Sequence, residues 1–106
     1  MKKVYFLSTC STCKRIIKEK GLEKKGFSFQ DIKTEKITPE QLDELKNLVG
    51  SYEALFSRRS LKYKAMGLKG KKLTETDYRN LILQEYTFLK RPVVLLGGKV
   101  IVGSGS

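Results

Sequence analysis

The chain contains no histidine and only two cysteines in 106 residues. A structural zinc site usually takes four Cys or His ligands, so this inventory argues against a metal site. No apolar run approaches the roughly 18 residues that a membrane span requires. The N-terminal run from Val4 to Leu7 is too short for the apolar core of a signal peptide. The expectation is a cytoplasmic protein with no membrane partner. In that compartment thiols stay mostly reduced, which argues against a purely structural disulfide and turns attention to redox chemistry. Acidic residues are scarce: 11 Asp and Glu stand against 22 Lys and Arg, for a net charge of +11. Such an excess steers nucleic acid, oxyanions, acidic proteins or glutathione toward the molecule, and does not choose among them. Lysines scattered over solvated helix faces account for the same excess as solubility.

There are no internal repeats, and the single low-complexity stretch is the Gly-Ser tail, 103–106, which reads as a flexible linker or a frayed end. With 40% apolar residues, the chain suffices for one modest core and is read as one domain, 1–106. Lys3 to Leu7 reads as a strand. Ser8-Thr9-Cys10-Ser11 supplies a loop and helix start, and Ile16, Ile17 and Leu22 recur at helical spacing. Phe27, Phe29 and Ile32 suggest a second strand, placed parallel to the first by the helical crossover. Thr38-Pro39-Glu40-Gln41 is a helix-start signal, and Leu42, Leu45, Leu48 and Val49 form an apolar stripe up to Gly50, predicting a helix over 39–49. Residues 51–67 read as short, irregular helical turns. Thr74 to Asp77 opens a further helix over about 75–86. Two apolar runs, Val93 to Leu96 and Lys99 to Val102, flank Gly97-Gly98 and read as a hairpin.

Chemistry is carried first by Cys10-Ser11-Thr12-Cys13, which follows a strand and opens a helix within a βαβ pattern. A thiol at a helix N-terminus is acidified by unpaired backbone N–H groups. Cys10 would be the nucleophile, and Cys13, one turn on, would resolve an adduct of Cys10. Thr9, Ser11 and Thr12 support the loop. Alternatively, Cys13 is a small buried hydrophobe and Cys10 an ordinary exposed thiol. Arg91-Pro92 precedes an apolar strand, a place that restricts proline to the first strand residue or an edge. Pro92 is a candidate cis proline, and Arg91 a candidate fork for an oxyanion or a glutathione carboxylate. Arg58 and Arg59 offer a second clamp, or are exposed cations.

With these residues in place, the order of elements resembles the arsenate reductase-like family (ArsC, Spx and YffB) of the thioredoxin-like superfamily, over residues 3 to 103. Its carriers are the strand with Cys10-Ser11-Thr12-Cys13, Thr38-Pro39, Ser57-Arg58-Arg59-Ser60 with Tyr63 and Gly67-Leu68, and Lys90-Arg91-Pro92-Val93-Val94. The resemblance implies an α/β fold of thioredoxin/glutaredoxin type: a mixed four-stranded sheet with a helical insertion, about 38–90, before the C-terminal hairpin. It also implies a thiol-dependent oxidoreductase. Cys10 attacks, Arg91 and Arg59 hold an oxyanion or glutathione, and Cys13 or glutathione resolves. No cofactor is bound; glutathione or another thiol is co-substrate, and the glutathione/glutaredoxin or thioredoxin system is the partner.

Three departures bring in an alternative. The reductases carry another arginine in the final hairpin, where this chain has Val100-Ile101-Val102-Gly103. They generally lack a cysteine three residues after the nucleophile, whereas Spx-like proteins use the pair as a disulfide switch. Family members also continue into a C-terminal helix, so an exposed apolar sheet surface is expected in a chain ending at Ser106. The alternative is an Spx-like redox-sensing regulator that binds the RNA polymerase alpha subunit. Direct nucleic-acid binding is not expected, since no helix-turn-helix, zinc finger or aromatic-studded sheet is recognisable.

Overall fold

Residues 2–103 are described by the computed structural model; the tail beyond Gly103, read above as a linker, lies outside them. The apolar runs become β1 (Lys2–Phe6), β2 (Ser28–Asp31), β3 (Val93–Leu96) and β4 (Lys99–Val102). The periodic segments become α1 (Ser11–Glu19), α2 (Pro39–Val49), α3 (Leu61–Ala65) and α4 (Glu75–Gln84), with 3-10 turns at Leu22–Lys24, Glu53–Leu55 and Tyr86–Phe88. The sheet order is β2-β1-β3-β4. β1 runs parallel to β2, pairing Val4 with Phe29, and antiparallel to β3, pairing Val4 with Val94. The helix-linked β1-α1-β2 unit is the parallel arrangement that a crossover produces.

Because side chains alternate along a strand, β1 feeds two cores. Tyr5 and Leu7 join Val93, Leu42 and Leu45 of α2, Tyr78 and Ile82 of α4, and the stacked rings of Phe56 and Phe88. On the opposite face Val4 and Val94 meet Ile17 and Leu22. α1 covers that face incompletely: Leu96 and Ile101 remain 42% and 46% exposed.

α2 has the bounds its signals predict. The Thr38 hydroxyl accepts from the Gln41 N–H at 3.1 Å, and the Gln41 side chain accepts from the Thr38 N–H at 3.0 Å. Gly50 ends the helix with φ 103°, a left-handed conformation that glycine adopts without steric cost. The stripe is narrower than expected, because Leu48 sits about 120° round the helix from Leu42 and points to solvent. α4 stops at Gln84 rather than about 86, since Glu85 leaves helical geometry at φ −136° and ψ 114°. β2 falls within the segment read as the second strand and runs parallel to β1 as expected. Phe29 lies at the rim, edge-on to Phe6, and buried Gln30 takes the inward place, exchanging amide hydrogen bonds with Gln41. No described helix is long and apolar enough to cross a membrane.

Candidate active site

β1 ends in a tight turn that brings the Cys10 N–H onto the Leu7 carbonyl at 2.9 Å. Cys10 itself is the N-cap of α1, with extended φ −91° and ψ 114°, and its carbonyl accepts from the Lys14 N–H at 3.2 Å. Its sulfur makes no fully formed capping hydrogen bond. Burial alone would raise the Cys10 thiol. It is outweighed by the backbone N–H of Cys13, the Cys13 thiol, the Arg91 guanidinium and the backbone N–H of Thr12, which together hold the thiol below its ordinary value. This is the charge-stabilising environment of a helix N-terminus beside a cation.

Cys13 lies one turn inside and is fully buried. Burial first, then the hydrogen bond and charge of Cys10, push its thiol up to about 12, so Cys13 keeps its proton and donates it toward Cys10. The two sulfurs therefore divide the roles of thiolate and hydrogen-bond donor. No disulfide joins them.

Arg91 precedes Pro92 across a cis peptide bond. Its side chain is buried, 6% exposed, and Nη1 donates to the carbonyls of Thr87 at 3.0 Å and Leu89 at 3.2 Å. Its Nε has no hydrogen-bond partner, and no carboxylate among the described residues forms an ion pair with it. A buried charge held by carbonyls alone is costly, and is stabilised by any anion that reaches it. Gly103 closes the site from β4: its N–H donates to the Pro92 carbonyl at 2.8 Å, and a Cβ there would stand 2.5 Å from Pro92 Cδ.

The structure thus brings Cys10, Cys13, Thr12 and Arg91 together. Arg59 lines the same groove as Arg91. Thr9 and Ser11 flank Cys10 but face solvent. Arg58 is directed away, onto Glu53 at 2.7 Å and the Tyr78 hydroxyl at 2.9 Å. Thr87, Ser60 and Gly103 escaped the sequence reading as site neighbours; the Val-Gly ending after the hairpin was the one signal that pointed near them. No cluster of three or more metal-binding side chains occurs among the described residues.

The sheet order, the crossover and the thiol at the start of the first helix define an α/β protein of the thioredoxin-like class. Solved structures of the same fold include an arsenate reductase from Vibrio cholerae, at TM-score 0.82 and 16% identity, covering 96% of this chain and 88% of that one. An ArsC family related protein from Bacteroides fragilis gives TM-score 0.82 and 24% identity over 99% and 91%. A possible arsenate reductase from Streptococcus mutans gives 0.78 and 26% over 99% and 90%. No curated protein matches the chain. The chain belongs to the ArsC family, whose model matches residues 5–106. That is a family of thiol-dependent reductases served by thiol reductants such as glutathione with glutaredoxin, or thioredoxin.

Proposed function

We propose that the protein is an oxidoreductase in which Cys10 is the attacking thiolate, Arg91 and Arg59 hold an anionic group of the substrate, and Cys13 or glutathione resolves the adduct. The observation that carries this reading is the paired thiol environment: Cys10, acidified at the head of α1, stands one turn from the fully buried Cys13, whose thiol is pushed up, and beside the buried Arg91 guanidinium. A thiolate is the nucleophilic form of cysteine, and a fixed cation both stabilises it and attracts an anionic substrate.

In the first step the Cys10 sulfur bonds to the oxidised centre and the leaving group departs with the bonding electrons. That step removes the negative charge from Cys10, and with it part of what keeps Cys13 protonated. Cys13 then loses its proton to solvent and attacks the Cys10 sulfur, expelling the reduced product and leaving a Cys10–Cys13 disulfide. An external thiol reduces that bond; glutathione attacking the adduct directly replaces the same step. A reducing compartment such as the cytoplasm suits this cycle.

The test is turnover of Cys10→Ser, above the rate without protein, with arsenate supplied with glutathione and glutaredoxin, and with bis(2-hydroxyethyl) disulfide supplied with glutathione alone. Activity is expected to vanish with both substrates, and surviving activity overturns the assignment of Cys10. A second reading, a redox switch that binds the RNA polymerase alpha subunit, is favoured by the same hydrogen-bonded thiol pair. Its signature is reversible Cys10–Cys13 oxidation without turnover, together with redox-dependent capture of that subunit.

A further inference from the structure

A groove of about 510 Å³ adjoins the site, lined by Arg59, Ser60, Leu61, Lys62, Thr87 and Arg91. Three of these six side chains are cations and none is acidic, whereas the grooves beside Phe29 and beside Leu96 each include a glutamate. At its buried end stands Arg91, with Nε unpartnered. At its exposed lip stands Leu61, 85% exposed and the most exposed large apolar side chain described. A Ser60–Thr87 hydroxyl hydrogen bond of 2.9 Å ties the start of α3 to the turn before Arg91, so the lip and the buried cation hold a fixed relation.

The groove is too large for a small oxyanion alone. An ion of five heavy atoms fills about as much space as five waters, on the order of 150 Å³. The remaining length has room for several peptide residues, and its chemistry runs from a buried cation through two surface cations to an apolar knob.

We propose that this groove receives an acidic segment of a protein disulfide, which makes an acidic protein disulfide a substrate of Cys10. The proposal rests on the Cys10 reading given above. A carboxylate of the segment meets Arg91 and Arg59, a second acidic group lies by Lys62, and an apolar side chain packs on Leu61. Charge complementarity favours this occupant, because an acidic chain is drawn by both the groove and the +11 molecule. A nucleic-acid backbone would leave Leu61 without a role. In the reaction the Cys10 thiolate attacks the nearer substrate sulfur, and the S–S bond breaks as the Cys10–S bond forms. The departing sulfur carries the electron pair and takes a proton from solvent. Cys13 or glutathione then attacks the Cys10 sulfur and forms a disulfide with it, expelling the second substrate sulfur, which leaves with the bonding electrons and takes a proton from solvent; the substrate is thereby reduced by two electrons and an external thiol reduces the disulfide left on Cys10.

Binding separates this proposal from the redox reading. The probe is a labelled peptide with two glutamates and a leucine around a serine in the cysteine position, read by fluorescence anisotropy against the full chain. Its glutamine twin and a short DNA duplex serve as the comparison ligands. The acidic peptide is expected to bind about tenfold more tightly than its twin. Lys62→Gln and Leu61→Ser are each expected to weaken it about threefold while leaving reduction of bis(2-hydroxyethyl) disulfide unchanged. Equal affinity for the twins, unaltered binding by both variants, or binding of the duplex in place of the peptide would overturn the proposal. Serine in the probe removes any need for turnover, so failure of Cys10 as nucleophile appears only in the Cys10→Ser assay, and failure of the groove only here.

Discussion

Cys10 and Cys13 stand three residues apart under opposite pressures, one thiol lowered and the other raised to about 12. The lowering depends on donors that reach the Cys10 sulfur, and the Cys13 thiol is one of them. Alkylation of Cys10 by iodoacetamide is therefore expected to reach half its limiting rate below the pH at which a free cysteine does. Cys13→Ala should move that midpoint upward, whereas Cys13→Ser, which keeps a hydroxyl donor, should move it less. An unchanged midpoint in Cys13→Ala would remove the donor role from Cys13. The position of Cys10 at the head of α1 was legible because a strand, a CxxC and a helical period follow one another in the sequence. Arg91 was legible through the proline after it. That Arg91 would be buried, held by the Thr87 and Leu89 carbonyls, was not, because backbone acceptors leave no pattern in side-chain identity. Arg58 and Arg59 are neighbours with the same side chain, and the tertiary placement of Glu53 and Tyr78 draws Arg58 aside.

At the scale of elements, legibility followed the strength of local rules. α2 carries a reciprocal cap at Thr38 and Gln41, proline at its first position and glycine after its last, so its ends are specified within the segment itself. Residues 51–67 carry no comparable run of signals and fold as a 3-10 turn and the five-residue α3. β2 lies at the sheet edge, where a strand need bury only one face well. Gln30 satisfies its amide through Gln41 and the Glu35 carbonyl, while Phe29 stays at the rim. The junction of β4 with β3 gives a sharper test. Gly103 approaches Pro92 so closely that a methyl group would meet ring Cδ at 2.5 Å and the proline nitrogen at 2.9 Å. Both are backbone or ring atoms with little freedom to move, so Gly103→Ala must displace either strand β4 or the Arg91–Pro92 segment. A loss of about 1–3 kcal/mol is expected in urea denaturation, together with weaker acidification of Cys10 in the alkylation assay. Unchanged stability would mean that the strand end yields freely.

Over the whole molecule, alkaline pH sets two effects against each other. Raising the pH lowers the net charge of a +11 chain and with it the self-repulsion, which favours the compact state. Tyr5 acts in the other direction. Its ring is 1% exposed in the larger core, and burial, with a contribution from Glu44, pushes its hydroxyl up to about 12 from an ordinary value near 10. A folded-state value above the unfolded one means that the native protein favours the neutral phenol. The associated stability is complete below about pH 10 and is lost as pH rises through about 12. At a pH of about 11.5 a shift of this size corresponds to roughly 2 kcal/mol of lost stability. The two effects run in opposite directions, so the wild-type curve alone does not separate them. Tyr5→Phe can, because it keeps the lysines and the ring while removing the titrating hydroxyl. Urea midpoints measured for both proteins at about pH 8 and about pH 11.5 should show wild type losing about 2 kcal/mol relative to Tyr5→Phe. Parallel curves would mean that the Tyr5 hydroxyl reaches water in the folded state, and that the core beneath β1 is more open than its packing against Leu42 and Val93 indicates.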